Sequence, residues 1–326
     1  MQLIDNYQRR FKYLRLSITE NCNFQCQYCL PEGASNSVTN KPHFLSLSEI
    51  DRVVSTFAQL GVEKIRITGG EPTLRKDFTD ILSLIGCHQQ IKTVALTTNG
   101  FRLLRDVEAW KLAGLNNLNV SVDSLSPATF KFITGQDRLS VILAGLDKAI
   151  AVGIEKVKVN TVLMKGLNDN LADYLSWLKT HPIELRFIEL METGQGSQIF
   201  NQYHLSGQIL QQQLVQQGWQ LATKEETSGP AQVYSHPDYY GKIGLIMPYS
   251  RDFCRSCNRL RISAKGKFHF CLFGEQGIEL RDLLQSDSQQ DELKTRIFNG
   301  LKIKPERHFL DEHRIGITQT LSAIGG

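Results

Sequence analysis

The strongest constraint on the fold of this 326-residue chain is a regular alternation of strand-like and helix-like segments up to about residue 190. Helical crossovers between successive strands require a parallel sheet, which is either open and doubly wound or curled into a barrel. The predicted strands are 14–19, 64–68, 92–98, 117–123, 155–163 and 183–190. The predicted helices lie near 46–60, 77–86, 101–113, 137–152 and 169–179.

Side-chain alternation within the strands favours the barrel. Successive side chains of a strand point to opposite faces, and at least five of the predicted strands carry one apolar and one polar face. Parallel sheets usually bury both faces and read as nearly continuous apolar runs. We therefore expect an α/β fold with an incomplete, TIM-like barrel of six βα units, whose helices lie outside a wide polar lumen. Strands that face solvent on one side are the alternative.

Several cations fall on the polar faces of these strands. They are Arg15, Lys64, Arg66, Lys158 and Arg186. Burial of so many cations without partners is very unfavourable, and only Asp123 and Glu184 are obvious internal counter-charges. A polyphosphate ligand explains the pattern better, because the planar fork of arginine matches phosphate oxygens.

A group of three cysteines follows the first predicted strand. Cys22, Cys26 and Cys29 have the spacing CxxxCxxC. Three thiolates can hold three irons of a cubane iron–sulfur cluster, which leaves the fourth iron open to a small molecule. Proteins that only carry electrons usually supply four thiolates, whereas catalytic metal sites keep an open position. The loop therefore predicts catalysis, with a zinc loop or unrelated core cysteines as the alternatives.

A second cysteine group lies near the C-terminus. Cys254 and Cys257 form a CxxC pair, and Cys271 follows fourteen residues later. Such a pattern predicts a metal site. One interpretation is structural zinc with His269 as the fourth ligand, although His269 and Cys271 would then be neighbours on one face of a strand. The other is a second cluster with an open iron.

Composition excludes several other classes of function. The chain is 41% hydrophobic and 21% charged, which is typical of a soluble globular protein, and it has no apolar run of bilayer-spanning length. A net charge of +4 is too small to indicate nucleic-acid binding. The N-terminus lacks the apolar core of a signal peptide, so we expect a cytoplasmic protein with reduced thiols. The remaining cysteine, Cys87, is expected to be a small buried apolar residue.

The first cysteine loop resembles that of the radical S-adenosylmethionine (SAM) superfamily, whose motif CxxxCxΦC has an aromatic residue where this chain has Tyr28. The segment Gly69–Pro72 resembles the GGEP motif with which that superfamily binds the SAM amino group. The resemblance implies that the open iron binds SAM and that SAM is cleaved to a 5′-deoxyadenosyl radical. The SAM contacts that it implies are Tyr28, Gly70, Ser121 and Met191.

Over nearly the whole chain, the order of motifs resembles the GTP 3′,8-cyclase family of molybdenum cofactor biosynthesis. The matching motifs are Arg15, Ile65–Pro72, Thr97–Gly100, Asn119–Asp123, Lys158–Asn160, Phe187–Met191, Cys254–Arg261, Cys271 and Ile324–Gly326. The resemblance implies a radical SAM lyase that converts GTP to (8S)-3′,8-cyclo-7,8-dihydroguanosine 5′-triphosphate, the first step of that pathway.

The same resemblance implies the site residues. Two [4Fe–4S] clusters would be held, one by Cys22, Cys26 and Cys29 and the other by Cys254, Cys257 and Cys271. The implied GTP contacts are Arg15, Lys64, Arg66, Thr97, Lys158, Arg186, Arg259, Leu260 and Arg261. The terminal pair Gly325 and Gly326 is implied to lie near the active site.

We divide the chain into a radical SAM domain, residues 1–225, and a smaller C-terminal cluster domain, residues 226–326. Expected partners are GTP, a low-potential electron donor, a second copy in a homodimer and, in the pathway, cyclic pyranopterin monophosphate synthase. We expect no nucleic acid and no membrane as partners. A radical SAM peptide maturase and a non-catalytic zinc-binding nucleotide sensor are the rival functions, although maturases usually have more cysteines in the C-terminal region.

Overall fold

Six parallel strands form the centre of the sheet in the order in which they occur in the chain. The computed structural model describes residues 2–29, 44–223, 228–274 and 277–316. The central strands are β1 (Tyr13–Ser17), β2 (Lys64–Thr68), β3 (Thr93–Thr98), β4 (Asn117–Ser121), β5 (Lys156–Leu163) and β6 (Glu184–Glu189). All six predicted strands are therefore confirmed, with ends that differ by two residues or fewer.

Helices connect the strands, as predicted. They are α1 (Leu47–Gln59), α2 (Phe78–Gly86), α3 (Leu103–Leu112), α4 (Pro127–Thr134), α5 (Leu139–Ala151), α6 (Leu171–Leu178), α7 (Ser197–Tyr203), α8 (Gly207–Gln216) and α9 (Gln290–Lys302). Short 3-10 helices occur at Pro72–Leu74, Arg281–Leu284, Asp287–Gln289 and Leu310–Glu312. No helix in the described ranges combines the length and the apolar character needed to cross a bilayer.

Helix α4 was missed by the sequence analysis. It begins with Pro127 in its first turn and ends at Gly135, whose left-handed conformation has a φ of 71°. Proline at the start and glycine just past the end are a recognised pair of helix boundary signals. The helix has only eight residues, so its apolar periodicity spans too few turns to stand out from the long α5 pattern that follows.

The C-terminal part of the chain extends the same sheet at both edges. The additional strands are β7 (Gln220–Leu221), β8 (Gln232–Ser235), β9 (Lys242–Ile246), β10 (Arg259–Ile262), β11 (Lys267–His269) and β12 (Gly277–Glu279). Strand β9 pairs in parallel with β6, and β10 pairs in parallel with β1. The sheet then ends in antiparallel strands on each side, in the order β12-β11-β10-β1-β2-β3-β4-β5-β6-β9-β8-β7. The predicted boundary at residues 225 and 226 lies outside the described residues.

The two faces of the central strands differ as predicted. Leu14, Leu16 and Ile67 are completely buried in the hydrophobic core on the outer face of the sheet. On the inner face, Arg66 and Asn119 are only 3% and 4% exposed. Because the polar side chains are buried, the alternative of a solvent-facing sheet is wrong, and the incomplete barrel with a polar lumen is confirmed.

The prediction for Cys87 is wrong. Its side chain is exposed at the C-terminal end of α2. The buried stripe of α2 consists of Phe78, Ile81, Leu82 and Ile85, and the position after Gly86 falls outside that stripe. Cysteine is often buried, but the helix geometry determines which positions face the core.

Candidate functional site

The first cysteine loop begins where β1 ends, at the carboxyl edge of the parallel strands. Cys22, Cys26 and Cys29 are all half-buried. Burial raises the pKa of Cys22 and Cys26, and for Cys26 the neighbouring Asp123 carboxylate and the other two thiols raise it further. The Cys22 and Cys26 sulfurs are therefore poorly solvated, and a bound metal centre would lower their pKa and favour the thiolates.

The C-terminal end of helix α4 is hydrogen-bonded to the middle of this loop. The backbone N–H groups of Gln25 and Gln27 donate to the carbonyl oxygens of Thr134 and Ile133, at 3.2 and 3.0 Å. The ring of Phe24 packs edge-on against Phe101 and Phe130. The helix that the sequence analysis missed thus holds the middle of the cysteine loop in place.

Tyr28 is anchored by a buried acid. Its hydroxyl donates to Asp123 Oδ2 at 2.9 Å, and the N–H of Val162 donates to the other carboxylate oxygen at 2.9 Å. Burial raises the pKa of Asp123 to about 6. Asp123 therefore binds the cysteine loop, and the expectation that it neutralises a lumen cation is wrong, because it lies beyond the last lumen residue of β4.

The GGEP segment is joined to the start of the cysteine loop. The N–H groups of Gly70 and Glu71 donate to the carbonyl oxygens of Thr19 and Asn21, at 2.9 and 2.7 Å. A Cβ atom at Gly70 would collide with the carbonyl oxygens of Glu20 and Asn21. Only glycine allows so close an approach of two backbones.

The carboxylate of Glu71 is fully engaged inside the protein. It accepts from the Thr73 N–H and hydroxyl, from the Thr98 hydroxyl and from the Asn99 N–H. Glu71 is completely buried. Its role is therefore to join the ends of β2 and β3, which leaves contact with a ligand at this turn to the glycine backbone.

The polar lumen forms a cavity that is lined by positive charge. All seven cationic residues predicted to bind GTP line it, namely Arg15, Lys64, Arg66, Lys158, Arg186, Arg259 and Arg261. Among the residues that the structure describes, no aspartate or glutamate lines this cavity. Cys254, Cys257 and Cys271 lie in its wall, whereas the first cysteine group lies outside the lining. Such a surface is suited to a strongly anionic ligand.

Tyr13 organises the cations at one end of the cavity. Arg66 Nε donates to its hydroxyl oxygen at 2.6 Å, and the Lys64 ammonium lies 5.0 Å from the centre of its ring. Burial by itself raises the pKa of Tyr13, but the charges of Arg66, Arg15 and Lys64 outweigh it and lower the pKa to about 6. Burial also lowers the pKa of Arg15 to about 10 and of Lys64 to about 8.

Glu184 supplies the counter-charge at the other end. Lys158 Nζ donates to its carboxylate at 2.9 Å, and the Arg186 guanidinium donates to its other oxygen. Burial lowers the pKa of Lys158 to about 8, and the nearby Arg186 charge adds to this effect. One carboxylate shared by two cations leaves the cavity with excess positive charge, so the prediction for Glu184 is confirmed.

The second cysteine group occupies a turn between β9 and β10 and the segment after β11. The N–H of Cys257 donates to the carbonyl oxygen of Cys254 at 3.1 Å. Burial by itself raises the pKa of Cys257, but the charges of Arg259 and Lys304 outweigh it and lower the pKa to about 7. Burial raises the pKa of Cys254, as it does for Cys22 and Cys26, so the electrostatic difference from the first group lies at Cys257.

Arg9 secures the second cysteine turn from the N-terminal segment. Its guanidinium donates to the carbonyl oxygens of Cys254, Pro305 and Glu306, at 3.2, 2.8 and 2.5 Å. Its Nε also pairs with the buried Asp5 carboxylate at 2.6 Å. The sequence analysis missed this contact because the partners are 245 or more residues apart.

The position of His269 does not support the zinc alternative. His269 is absent from the cavity lining that contains the three cysteines, and burial lowers its pKa to about 4, helped by Lys267 and Arg261. In the described part of the chain, no three His, Cys, Asp or Glu side chains converge on one metal ion. In an iron–sulfur cluster each thiolate binds a different iron, so the three cysteine sulfurs do not need to converge on a single point.

The remaining predicted contacts lie in different places. Met191 lines the cavity, and Ser121 ends β4 at the carboxyl edge of the sheet. Thr97 accepts from Arg66 at 3.3 Å. The Leu260 side chain is completely buried in the core between two cavity arginines, so any contact with a ligand would come from its backbone. The Gly325 and Gly326 tail lies outside the described residues.

Three asparagines and a histidine of the cavity were also missed as site residues. They are Asn117, Asn119, Asn160 and His308. The asparagines and Tyr13 lie on strand faces that alternate with apolar residues, so the same pattern that identified the arginines could have found them. His308 follows α9 and has no such pattern.

Comparison with known proteins agrees with this geometry. The family model of the radical SAM superfamily matches residues 16–178, and the model described as Molybdenum Cofactor Synthesis C matches residues 183–310. These matches define the class: the chain belongs to the radical SAM superfamily. The donor sets fit that class, because three thiolates and a glycine turn meet at the carboxyl edge of the sheet.

Curated relatives narrow the class to one family. Proteins named GTP 3′,8-cyclase from Pectobacterium atrosepticum and Yersinia pestis are each 57% identical to this chain over its full length, and the alignments cover 99% and 100% of those proteins. One from Mannheimia succiniciproducens is 56% identical, with 100% and 96% coverage. The chain belongs to the GTP 3′,8-cyclase family.

A solved structure supports the fold. SuiB of Streptococcus suis, bound to S-adenosylmethionine, matches with a TM-score of 0.63 and 15% identity, over 91% of this chain and 69% of SuiB. A second SuiB structure gives a TM-score of 0.56. At this level of identity the comparison concerns the fold alone.

Proposed function

We propose that this protein is a GTP 3′,8-cyclase, which converts GTP to (8S)-3′,8-cyclo-7,8-dihydroguanosine 5′-triphosphate at the start of molybdenum cofactor biosynthesis. The observation that carries the proposal is the cationic cavity, which has seven predicted GTP-binding cations in its lining. A triphosphate would supply the negative charge that the described lining lacks. The family relationship supports the same substrate.

The cysteine groups would hold two [4Fe–4S] clusters, one on Cys22, Cys26 and Cys29 and the other on Cys254, Cys257 and Cys271. SAM would lie against Tyr28, Gly70, Ser121 and Met191. When bound, the first cluster and SAM supply a hydrogen-abstracting 5′-deoxyadenosyl radical. The rest of the catalytic contribution comes from the protein, which positions the substrate.

The cavity side chains would bind the triphosphate and orient the nucleoside. Arg66 is held rigidly by Tyr13, by the Leu96 carbonyl oxygen at 3.0 Å and by Thr97. A guanidinium that is already ordered loses little conformational entropy when phosphate binds. The buried walls also exclude water, which strengthens charge interactions and protects a reactive intermediate.

The test is an anaerobic incubation of the reconstituted protein with SAM, dithionite and GTP, followed by mass spectrometry. We expect 5′-deoxyadenosine together with an isomer of GTP. Formation of 5′-deoxyadenosine without any change in GTP would retain the radical chemistry but reject the substrate. A protein that contains zinc and yields neither product would reject the enzymatic function.

Arg66→Ala tests the role of the cavity charge. We expect GTP affinity to fall by about tenfold or more, because a buried charge-assisted hydrogen bond contributes about 1.5–3 kcal/mol, whereas SAM cleavage stays detectable. Lys179→Ala is the matched control, since it removes an exposed positive charge outside the cavity. Normal GTP affinity of the Arg66 variant, measured by titration calorimetry, would contradict the proposed binding mode.

Four further expectations remain part of the proposal. They are a low-potential electron donor, a homodimer, a cytoplasmic location and the hand-over of the product to cyclic pyranopterin monophosphate synthase. The electron donor follows from the reductive cleavage of SAM. Size-exclusion chromatography with light scattering tests the homodimer directly.

A further inference from the structure

The described lining of the cavity is rich in charged hydrogen-bond donors and holds no anionic acceptor. Arginine and lysine side chains only donate, and all eight charged side chains of the lining are of these two types. Phosphate oxygens accept from such groups, but a nucleotide also carries donors, which include the hydroxyls of its ribose. A site that binds the whole nucleotide therefore needs acceptors at defined positions.

Several acceptors in the lining or directly behind it are already engaged within the protein. The Tyr13 hydroxyl oxygen accepts from Arg66, as does the Thr97 hydroxyl oxygen. Both oxygens of Glu184 accept from Lys158 and Arg186. Each of these oxygens therefore already accepts a hydrogen bond from a protein side chain.

Two side-chain oxygens of the described lining are buried without a hydrogen-bond partner. They are Oδ1 of Asn119 and Oδ1 of Asn160. An unsatisfied buried acceptor is destabilising by about 1–3 kcal/mol, so such an atom calls for an explanation, and a bound ligand that donates to it is one. Asn119 is the stronger case, because the residue is only 4% exposed.

The register of the sheet places Asn119 between two predicted subsites. Asn119 pairs with Thr97 on one side and with the cationic Lys158 on the other. Ser121, a predicted SAM contact, is two residues further along the same strand and points to the same face. Asn160 pairs with Ser121, so it lies closer to the SAM subsite than Asn119 does.

We propose that Asn119 is a further substrate-binding residue, whose amide oxygen accepts a hydrogen bond from a ribose hydroxyl of the nucleotide. The ribose is joined directly to the triphosphate and therefore lies closer to it than the base does. An acceptor beside the phosphate-binding Lys158 is thus nearer to the ribose hydroxyls than to the base. Hydrogen abstraction at C3′ also requires the sugar to face the SAM subsite. This inference rests on the proposed function, from which the reacting carbon is taken.

The experiment measures the affinities of GTP, 2′-deoxyGTP and 3′-deoxyGTP by titration calorimetry on the reconstituted protein with SAM. We expect the native protein to bind GTP about tenfold more tightly than the analogue that lacks the contacted hydroxyl. Asn119→Ala should weaken GTP binding by about the same factor and leave the affinity for that analogue unchanged. Asn119→Asp retains the acceptor oxygen and should keep the preference even if all affinities fall together.

Asn117→Ala is the matched control, because Asn117 lines the same cavity on the same strand and its oxygen is not among the unpartnered atoms. Asn117→Ala should change the affinities for GTP and for both analogues by the same factor. An Asn119→Ala variant that weakens all three nucleotides equally, or none, overturns the inference. A variant that weakens only SAM binding also overturns it, because the acceptor would then contact SAM. A variant that instead loses the preference for GTP over inosine triphosphate overturns it too, because the acceptor would then contact the base.

The outcomes separate this inference from the proposed function. If the native protein neither binds nor converts GTP, the proposed function fails and the inference fails with it. If the native protein converts GTP while the Asn119 variants keep the full preference for the ribose hydroxyl, the inference alone fails.

Discussion

The two cysteine groups have the same number of thiols but different charged neighbours, although burial raises the pKa of Cys254 as it does for Cys22 and Cys26. The first lies beside the buried Asp123, and both burial and negative charge raise the pKa of Cys26. The second lies beside Arg259 and Lys304, whose charges lower the pKa of Cys257 to about 7 despite burial. The support also differs, because α4 and the GGEP turn hold the first loop, whereas Arg9 holds the second.

This difference indicates a division of roles. A cluster beside a buried acid would be harder to reduce than one beside cations, because added negative charge is stabilised by positive neighbours. The second group also faces the cationic cavity, and the first lies outside its lining. We therefore expect the first group to act on SAM and the second to contact the substrate.

The largest expected effect comes from removing one thiol in each group. Cys26→Ala should abolish 5′-deoxyadenosine formation, because in the proposed function SAM is cleaved at a cluster held by this group. Cys257→Ala should lose GTP conversion but still produce 5′-deoxyadenosine. Mass spectrometry of both products and iron analysis test this, with the exposed Cys87→Ala as the control. Equal loss of SAM cleavage in both variants would contradict the division.

The next effect concerns the support of the second group. Asp5→Asn with Arg9→Met removes both members of the buried ion pair and the three hydrogen bonds to carbonyl oxygens. Each hydrogen bond from a charged group contributes about 1.5–3 kcal/mol, so the second cysteine turn should loosen. Bound iron should fall while SAM cleavage persists. The exposed Arg10→Met is the control, and iron loss from the first group instead would disprove the assignment.

Tyr13 provides a pH-dependent test at the cationic end of the cavity. In protein free of clusters and nucleotide, the phenol should ionise at a pKa of about 6, and ultraviolet difference spectra should show a transition there that Tyr13→Phe lacks. GTP should shift the transition upward, because the triphosphate removes the excess positive charge. A phenol that ionises only near the ordinary value of about 10 would contradict the described electrostatics.

The sign of the stability effect follows from the same pKa. Between about 6 and 10 the phenol is ionised in the folded chain but still protonated in the unfolded chain. The unfolded state then binds more protons, so the contribution of Tyr13 to the free energy of unfolding rises with pH across this window and is lost as the pH falls through about 6. Chemical denaturation of native protein and Tyr13→Phe at several pH values measures the difference.

The smallest effect concerns an ion pair that links the two regions. Lys265, between β10 and β11, pairs with Glu20 beside the first cysteine loop at 2.8 Å, and their side chains are 54% and 32% exposed. Exposed pairs contribute about 0.2–1 kcal/mol, and less in high salt. Lys265→Ala should therefore change the free energy of unfolding by less than about 1 kcal/mol. A larger change that persists in high salt would show that the two regions are more strongly coupled.

Local patterns predicted much of the site. The alternation around Arg15, Arg66 and Lys158 was sufficient to predict a buried polar lumen, since side-chain direction in a strand depends only on position. Cysteine spacing was likewise sufficient to predict two groups of three thiols. The errors at Cys87 and Asp123 concern position, because Cys87 lies outside the buried stripe of α2 and Asp123 lies beyond the lumen, whereas the missed helix α4 was too short for its pattern to be recognised.

The sequence alone determined the succession of strands and helices, the polar inner face and the two cysteine groups, because these depend on periodicity and spacing along a short stretch of chain. Only the tertiary structure decided which partners meet. It placed β9 and β10 at opposite edges of the central sheet, joined Arg9 to Cys254 across 245 residues and left Asn119 with a buried, unpartnered oxygen. Such contacts depend on the packing of distant segments, and no local pattern records them.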